Sequence, residues 1–273
     1  MVIADLQREL CGWISKTDVQ ELIAYELGIR RSELASHAQQ ELTDLQQKRI
    51  CDHFTRRLNG EPLQYILGEW DFYGRTFRVT PGVLIPRADT ETLIDAAKAL
   101  LQPGDEILDL CTGSGCIPIT LTLEIPETKA IALELYPSAA ELAVQNATTL
   151  SAPVTVRRAN VLSEPDADLV GRFRVITANP PYIRSCDMAT LPIEVQFEPK
   201  EALDGGVDGL IFYRFIANVW KPCLKKGGKL VLEIGYDQAI AVTEILWQEG
   251  FRDIKTVQDA GGNDRVIIGT LDN

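Results

Sequence analysis

The sequence of 273 residues predicts an α/β fold, a mainly parallel sheet covered by helices, with a small all-α domain ahead of it. Three observations predict it. From residue 88 onward strand-forming runs alternate with helical ones. Before residue 60 only helical periodicity is present. The first strand of the alternating part breaks into a glycine-rich turn that opens a helix. Parallel strands need long crossovers, so repeated βα units read as a sheet with helices on both faces.

The elements follow in order. "TDVQELIAYELG" sets Thr17 and Gln20 at capping-box spacing, places Leu22, Ile23 and Leu27 at helical intervals, and closes on Gly28. "TDLQQKRICDHFTRRLNG" repeats the device with Thr43 and Gln46, carries Leu45, Ile50, Phe54 and Leu58, and ends on Asn59-Gly60. "FYGRTFRVTPGVLIPR" reads as a hairpin-like connector, with Phe77 and Val79 on one face of a strand and Pro81-Gly82 as its turn. His53 is expected at the surface or as a satisfied core residue. Strands are then expected at 106–110, 129–134, "VTVRRA", "FRVITA" and 229–234, with helices at 116–124, 138–150, 209–224 and near 237–249. "RDIKTVQ" and "RVIIGT", joined by "DAGGND", read as a closing hairpin. The organisation is a helical domain at 1–70, a connector at 71–87 and an α/β domain at 88–273.

Composition narrows the function. The net charge is −12, and dividing the chain after Trp70 leaves 8 basic and 11 acidic residues before the cut and 19 and 28 after it. Neither part is a basic arm of the kind that neutralises duplex phosphates, so no direct nucleic-acid partner is expected. No apolar run approaches the ~18 residues of a membrane span, and the first residues lack a basic flank, so a cytoplasmic protein without a membrane partner is expected. Six cysteines without a Cys-x-x-Cys pair, and two histidines, suggest reduced thiols and no metal site.

Two stretches carry chemistry. In "DLCTGSGC" a strand runs into Gly113 and Gly115 and then into a helix N-terminus with unpaired N–H groups. Glu134 lies 21 positions past Gly113, near the ~20-residue offset at which an acid meets ribose hydroxyls. Alone, the turn also fits a tight connection and Glu134 a helix cap. The dinucleotide fingerprint is incomplete, because Pro118 stands three past Gly115. In "TANPPYIRS" two prolines follow Asn179 where a strand ends, at the edge where open α/β sheets place ligands. As a loop terminator alone Pro-Pro needs no function.

The "D-L-x-T-G-S-G" turn with an acid ending the second strand resembles the S-adenosylmethionine site of class I methyltransferases, whose Rossmann-like seven-stranded sheet also ends in two antiparallel strands. Asn179-Pro180-Pro181-Tyr182 looks like the motif of methyltransferases that modify planar nitrogens. Such a nitrogen has a delocalised lone pair and is a poor nucleophile. If the Asn179 side-chain oxygen and the Pro180 carbonyl accept its two protons, it is aimed and its lone pair leaves conjugation. Proline stiffens the carbonyl, and Tyr182 can pack on a flat target.

With "QYILGEWDFYG", "LIPRADTE", "QFEP", "LDGGVDGL", "LEIG" and "DAGGNDRV", the whole chain resembles the bacterial release-factor glutamine methyltransferases, the HemK/PrmC family. The resemblance implies methylation of the amide nitrogen, N5, of the glutamine in the Gly-Gly-Gln loop of peptide chain release factors 1 and 2, which tunes translation termination. It assigns catalysis to Asn179, Pro180 and Tyr182, substrate binding to these and Pro181, and S-adenosylmethionine binding to Cys111, Thr112, Gly113, Ser114, Gly115, Glu134, Asn160 and Asn179. The chain departs from the pattern at Cys111, where the family has glycine, at Glu134 and Asn160, where it has aspartate or another acid, and at Ala88, where it has proline. Glu134 keeps a carboxylate and Asn160 an oxygen for the adenine amino group. For Arg87 to Glu91, a helix cap by Asp89 or Thr90 stands beside direct cofactor contact.

A nucleic-acid adenine N6-methyltransferase shares the tetrapeptide's chemistry, and a non-catalytic factor with a decayed pocket would share the departures. The helical domain shows no catalytic constellation, so docking of a folded substrate is expected of it.

Overall fold

A computed structural model describes residues 1–272. Helices α1 (Ile3–Leu10), α2 (Lys16–Leu27), α3 (Asp44–Leu58) and α4 (Leu63–Leu67) come first, followed by a two-stranded ribbon of β1 (Glu69–Phe72) and β2 (Arg75–Arg78). Helix α5 (Glu91–Lys98) leads into alternating β3 (Glu106–Leu110), α6 (Cys116–Glu124), β4 (Lys129–Glu134), α7 (Pro137–Thr149), β5 (Val154–Arg158) and β6 (Phe173–Ala178). Then come α8 (Ile193–Gln196), α9 (Ile211–Phe215), β7 (Leu224–Glu233), α10 (Ala239–Gln248), β8 (Phe251–Gln258) and β9 (Asp264–Leu271). Among the described residues no helix is long and apolar enough to cross a membrane.

The chain forms two compact units, Met1–Glu69 with Pro192–Phe197, and Trp70–Leu191 with Glu198 onward. In the first, Ile3, Leu6, Val19, Ile23, Leu34 and Ile50 pack together. The cap of α2 is Ser15, whose side chain accepts from the Asp18 N–H at 3.0 Å, two residues ahead of the Thr17 expected from spacing. Thr43 and Gln46 do close a capping box on α3. Leu45 and Leu58 are exposed, because α3 buries only the narrow stripe around Ile50. His53 is half-buried, its ring centroid 6.0 Å from that of Tyr25 and its Nδ1 without a hydrogen-bond partner, so it is neither a surface residue nor a satisfied one. Arg57 joins Asp18 at 2.7 Å and also pairs with Glu194, while Gly60 faces the Ile193 side chain.

In the second unit seven strands run in the order β5-β4-β3-β6-β7-β9-β8. Neighbours from β5 to β7 are parallel, and β9 pairs antiparallel with both β7 and β8. This is the class I methyltransferase arrangement. The chain winds outward from β3 through β4 to β5 and then restarts on the other side of β3 with β6. The order reverses between β3 and β6, and beyond the carboxyl ends of such a pair lies the crevice where open α/β sheets bind ligands.

Three elements differ from the periodicity. The ribbon turns at Tyr73-Gly74, not at Pro81-Gly82. The helix expected over 209–224 is a short α9 that widens to a π-helical turn at Ile216–Trp220 and tightens at Lys221–Cys223, where Pro222 can supply no backbone donor. Strand β7 starts at Leu224 because residues 225–228 bulge between two pairings with β6, Phe173 with Leu224 and Val175 with Lys229.

Candidate active site

Register builds the site. Leu133, Leu110, Ala178 and Leu232 lie side by side on β4, β3, β6 and β7. One residue further along each strand, Glu134, Cys111, Asn179 and Glu233 therefore form a row across the carboxyl edge of the sheet. Parallel strands keep equivalent residues on one face about 4.8 Å apart, which brings together residues distant in sequence.

The glycine turn leaves β3 at Cys111, whose φ of 57° is left-handed. A non-glycine residue pays about 1–2 kcal/mol there, and the family's glycine would not. Glu134 holds the turn: its Oε2 accepts from the Gly113 N–H at 2.9 Å, and its Oε1 accepts from the N–H groups of Leu135 and Tyr136 at 2.8 and 3.0 Å. Gly115 opens α6 at φ 81°, a left-handed backbone that strains any side chain, and a Cβ there would press on Ile119 at 3.0 Å and on Ala143 of α7 at 3.2 Å. Asn146 was not singled out by the sequence. Buried on α7, it donates to the carbonyls of Ser114 and Arg78 at 2.9 and 3.1 Å and accepts from the Arg78 N–H at 2.9 Å. The turn is thereby fastened to β2.

Beyond β6, Pro180 and Pro181 are buried and Tyr182 is half-buried against the core. Burial, and next the Glu233 carboxylate, push the Tyr182 phenol up from its ordinary value. The "LDGGVDGL" loop lies directly on this backbone. A Cβ on Gly209 would stand 2.4 Å from the Tyr182 carbonyl oxygen, and one on Gly205 would stand 2.8 Å from that of Pro181. Gln238 clamps the loops together. Its Nε2 donates to the Tyr182 and Gly209 carbonyls at 3.0 and 3.3 Å, and its Oε1 accepts from the Gly235 N–H at 2.9 Å and the Tyr213 hydroxyl at 3.3 Å.

Arg87 to Glu91 is tied down residue by residue. Arg87 pairs with the buried Glu198, which also accepts from the Ile85 N–H at 3.1 Å. Asp89 meets Arg265 at 3.3 Å, Arg265 reaches Asp259 at 3.1 Å, and Glu91 accepts from the Tyr73 N–H at 2.8 Å. No side chain of the segment caps α5. Thr90 accepts instead from the Asn179 side-chain amide at 3.3 Å.

Two carboxyls sit under the edge. Asp109 accepts from the Thr177 hydroxyl at 2.6 Å, its other oxygen has no partner, and burial pushes its pKa up to about 7. Glu233 is 1% exposed and burial likewise raises its pKa to about 7, while Thr90, Arg265 and Asn179 favour its charged form.

Over the edge opens a cavity of about 460 Å³, within the ~300–1,000 Å³ of small-molecule sites. Cys111, Thr112, Gly113, Ser114, Glu134 and Asn160 line it on the β3 and β4 side, and Asn179 and Pro181 on the β6 side. Arg87 and Thr90 line it too. Gly115, Pro180 and Tyr182 are not among the residues that line it. The side-chain oxygen of Asn160 accepts from the Leu162 N–H at 2.9 Å.

Residues 14–68 match the family model described as the PrmC N-terminal domain, and residues 87–196 match that of the methyltransferase small domain. A release factor glutamine methyltransferase of Geobacter sulfurreducens is 39% identical over 94% of this chain and 90% of its own length. The chain belongs to the release factor glutamine methyltransferase family. Other members similar to it come from Koribacter versatilis, 40% identical over 91% of this chain and 88% of the relative, and Vibrio cholerae, 43% over 78% and 75%. A crystal structure of a methyltransferase from Pyrococcus furiosus covers 74% of this chain and 91% of its own, with a TM-score of 0.57 at 18% identity, a likeness of fold.

Proposed function

We propose that the chain transfers a methyl group from S-adenosylmethionine to the side-chain amide nitrogen of the Gly-Gly-Gln glutamine in peptide chain release factors 1 and 2, in the cytoplasm. The observation that carries this reading is the row at the sheet edge, which sets Asn179 two strands from Glu134 on one cavity. The residues present fit the cofactor. A Cβ on Gly113 would meet nothing within 4 Å, so the turn leaves open space above its backbone. Glu134 has lone pairs left for ribose hydroxyls, and Leu135, Ala159 and Val161 offer apolar wall to a flat base. When bound, S-adenosylmethionine supplies an electrophilic methyl on a sulfonium.

The chain's own part is positioning and selective stabilisation. Asn179 Oδ1 and the Pro180 carbonyl accept the two amide protons of the glutamine, hold its nitrogen in line and draw its lone pair out of conjugation. These bonds strengthen as the nitrogen rehybridises, which lowers the barrier rather than only tightening binding. The methylated nitrogen is acidic enough to give its proton to water, so no side-chain base is required. The helical unit is the second contact for a folded release factor, since a lone glutamine offers too few atoms to offset the orientational cost of reaction.

The test incubates the protein with methyl-labelled S-adenosylmethionine and, separately, release factor 1, release factor 2 and duplex DNA. Label is expected on the Gly-Gly-Gln glutamine of both factors. Label in DNA alone would overturn the reading, and label in one factor only would restrict it.

A further inference from the structure

Thr90 is 1% exposed and caps nothing. Its Oγ1 accepts from Asn179 Nδ2, and a hydroxyl that accepts still has one proton to give. The Glu233 carboxylate, which Thr90 and Asn179 both approach, is the next residue of the row on β7 and has an oxygen without a partner. An ionised carboxylate can only accept. The amide of Asn179 is two-ended, with a donor on one side and an acceptor on the other, and only the acceptor end serves a substrate N–H. Something must decide which end faces the cavity.

We infer that ionised Glu233, acting through the Thr90 hydroxyl, sets the polarity of Asn179: Glu233 takes the Thr90 proton, Thr90 Oγ1 takes the Asn179 Nδ2 proton, and Oδ1 is left facing the target amide. Both are positioning residues, since neither need touch the reacting nitrogen. The inference rests on the reading of Asn179 as acceptor for that amide. Protonated Glu233 would reverse the chain, donating to Thr90 and turning the Thr90 hydroxyl toward Asn179 Oδ1, which would then be occupied. The other ionisable groups around Glu233 are Asp89 and Arg265, the phenols of Tyr182 and Tyr213, and the Cys116 thiol. Tyr182, Tyr213 and Cys116 are held neutral well above neutrality, and Arg265 stays charged. Two carboxyls under the edge therefore change charge near neutral pH, Glu233 and Asp109; Glu233 is the one beside Thr90, whereas Asp109 is bonded to Thr177, and the Glu233→Gln variant separates the two.

Two measurements test the chain on the full-length protein. In the first, kcat with a release factor is followed at saturating S-adenosylmethionine. From about pH 8 down to about pH 6 it should fall about tenfold, the change for one group titrating near the middle of that range. Glu233→Gln should flatten this step. Thr90→Val should lower kcat at least ~10-fold with S-adenosylmethionine affinity within ~3-fold, and Thr90→Ser, which keeps the hydroxyl, should recover most of the loss. A Thr90→Val enzyme with normal kcat, or an unaltered pH step in Glu233→Gln, overturns the inference. The second reads the wild-type protein without turnover: the side-chain ¹⁵Nδ2 resonance of Asn179, assigned by its absence in Asn179→Ala, should move between about pH 6 and about pH 8 and cease to do so in Thr90→Val. A resonance indifferent to pH sinks the inference. No methylation of any release factor by wild type, beside a titrating resonance, would instead sink the substrate reading alone.

Discussion

Gln238→Leu replaces a side chain of similar volume and removes the whole polar end that joins three loops. Tyr182 and Gly209 lose the donor to their carbonyls, and the Gly235 N–H loses its acceptor. The Tyr213 hydroxyl keeps a partner, the Glu233 carbonyl at 2.9 Å, and adds little to the loss. Three orphaned backbone groups at about 1–3 kcal/mol each, reduced where the half-exposed Tyr182 admits water, give a destabilisation of about 3–5 kcal/mol. Leucine cannot push the loops apart to reach solvent, because Gly209 already lies against the Tyr182 carbonyl. Urea unfolding followed by tryptophan fluorescence would measure the loss, with Trp220 buried in the same core. At a temperature where the variant stays folded, kcat should drop more than cofactor affinity, since the clamp holds Tyr182 and not the glycine turn. Loss of less than ~1 kcal/mol with normal kcat would show that the clamp is not what holds these loops.

Three further outcomes are expected. Asn179→Ala should cost about 2.7–4 kcal/mol in the rate, by analogy with a lost oxyanion-hole donor, with little change in calorimetric S-adenosylmethionine binding; a near-normal turnover would refute the acceptor role. Glu134→Ala should weaken cofactor binding by about 1.5–3 kcal/mol, read by the same titration, and unchanged affinity would remove ribose recognition from Glu134. Asp109 keeps its proton in the folded state up to about 7, whereas in the unfolded chain it loses it near ~3.9. The folded state thus binds the extra proton between those values, and this contribution to stability is full below the lower one and lost as pH rises through the upper. Asp109→Asn should reduce the fall in urea midpoint across that window and stabilise the protein at higher pH; an identical slope would mean that Asp109 is already charged when folded.

What the sequence made legible was local. The turn at Gly113 and Gly115, the offset to Glu134 and the tetrapeptide at Asn179 announce themselves within about 20 residues, because strand–turn–helix units repeat on that scale. The parallel sheet was readable from the alternation of periods. The supports of the site were not. Asn146 reaches back 68 residues to Arg78, and Gln238 reaches 56 to Tyr182, and no spacing rule connects such pairs before the sheet is assembled. Arg87 to Glu91 illustrates the same limit. Its helix-start composition suggested a cap, but four of its five side chains, all but Ala88, are engaged across the fold, by Glu198, Arg265, Asn179 or the β1–β2 turn. Ser15 took the cap from Thr17 because a box needs only one suitable residue, and backbone geometry chooses between neighbours. The early start of β7 was hidden by Gly227-Gly228, which reads as a breaker but forms part of a bulge.

The six residues Pro192–Phe197 belong to the compact unit built by residues 1–69, though they are encoded some 120 positions later. The chain therefore passes between the units at three points rather than one. A boundary drawn at the first crossing cuts the gene cleanly but not the protein: an isolated C-terminal fragment would carry Ile193 and Glu194 without Gly60 and Arg57, the residues they pack on and pair with. The two parts are thus not freely interchangeable cassettes. A chimera that borrows its helical part from another family member would have to borrow residues 192–197 with it, and the coupling should appear across the family as correlated replacement of positions 57 and 194.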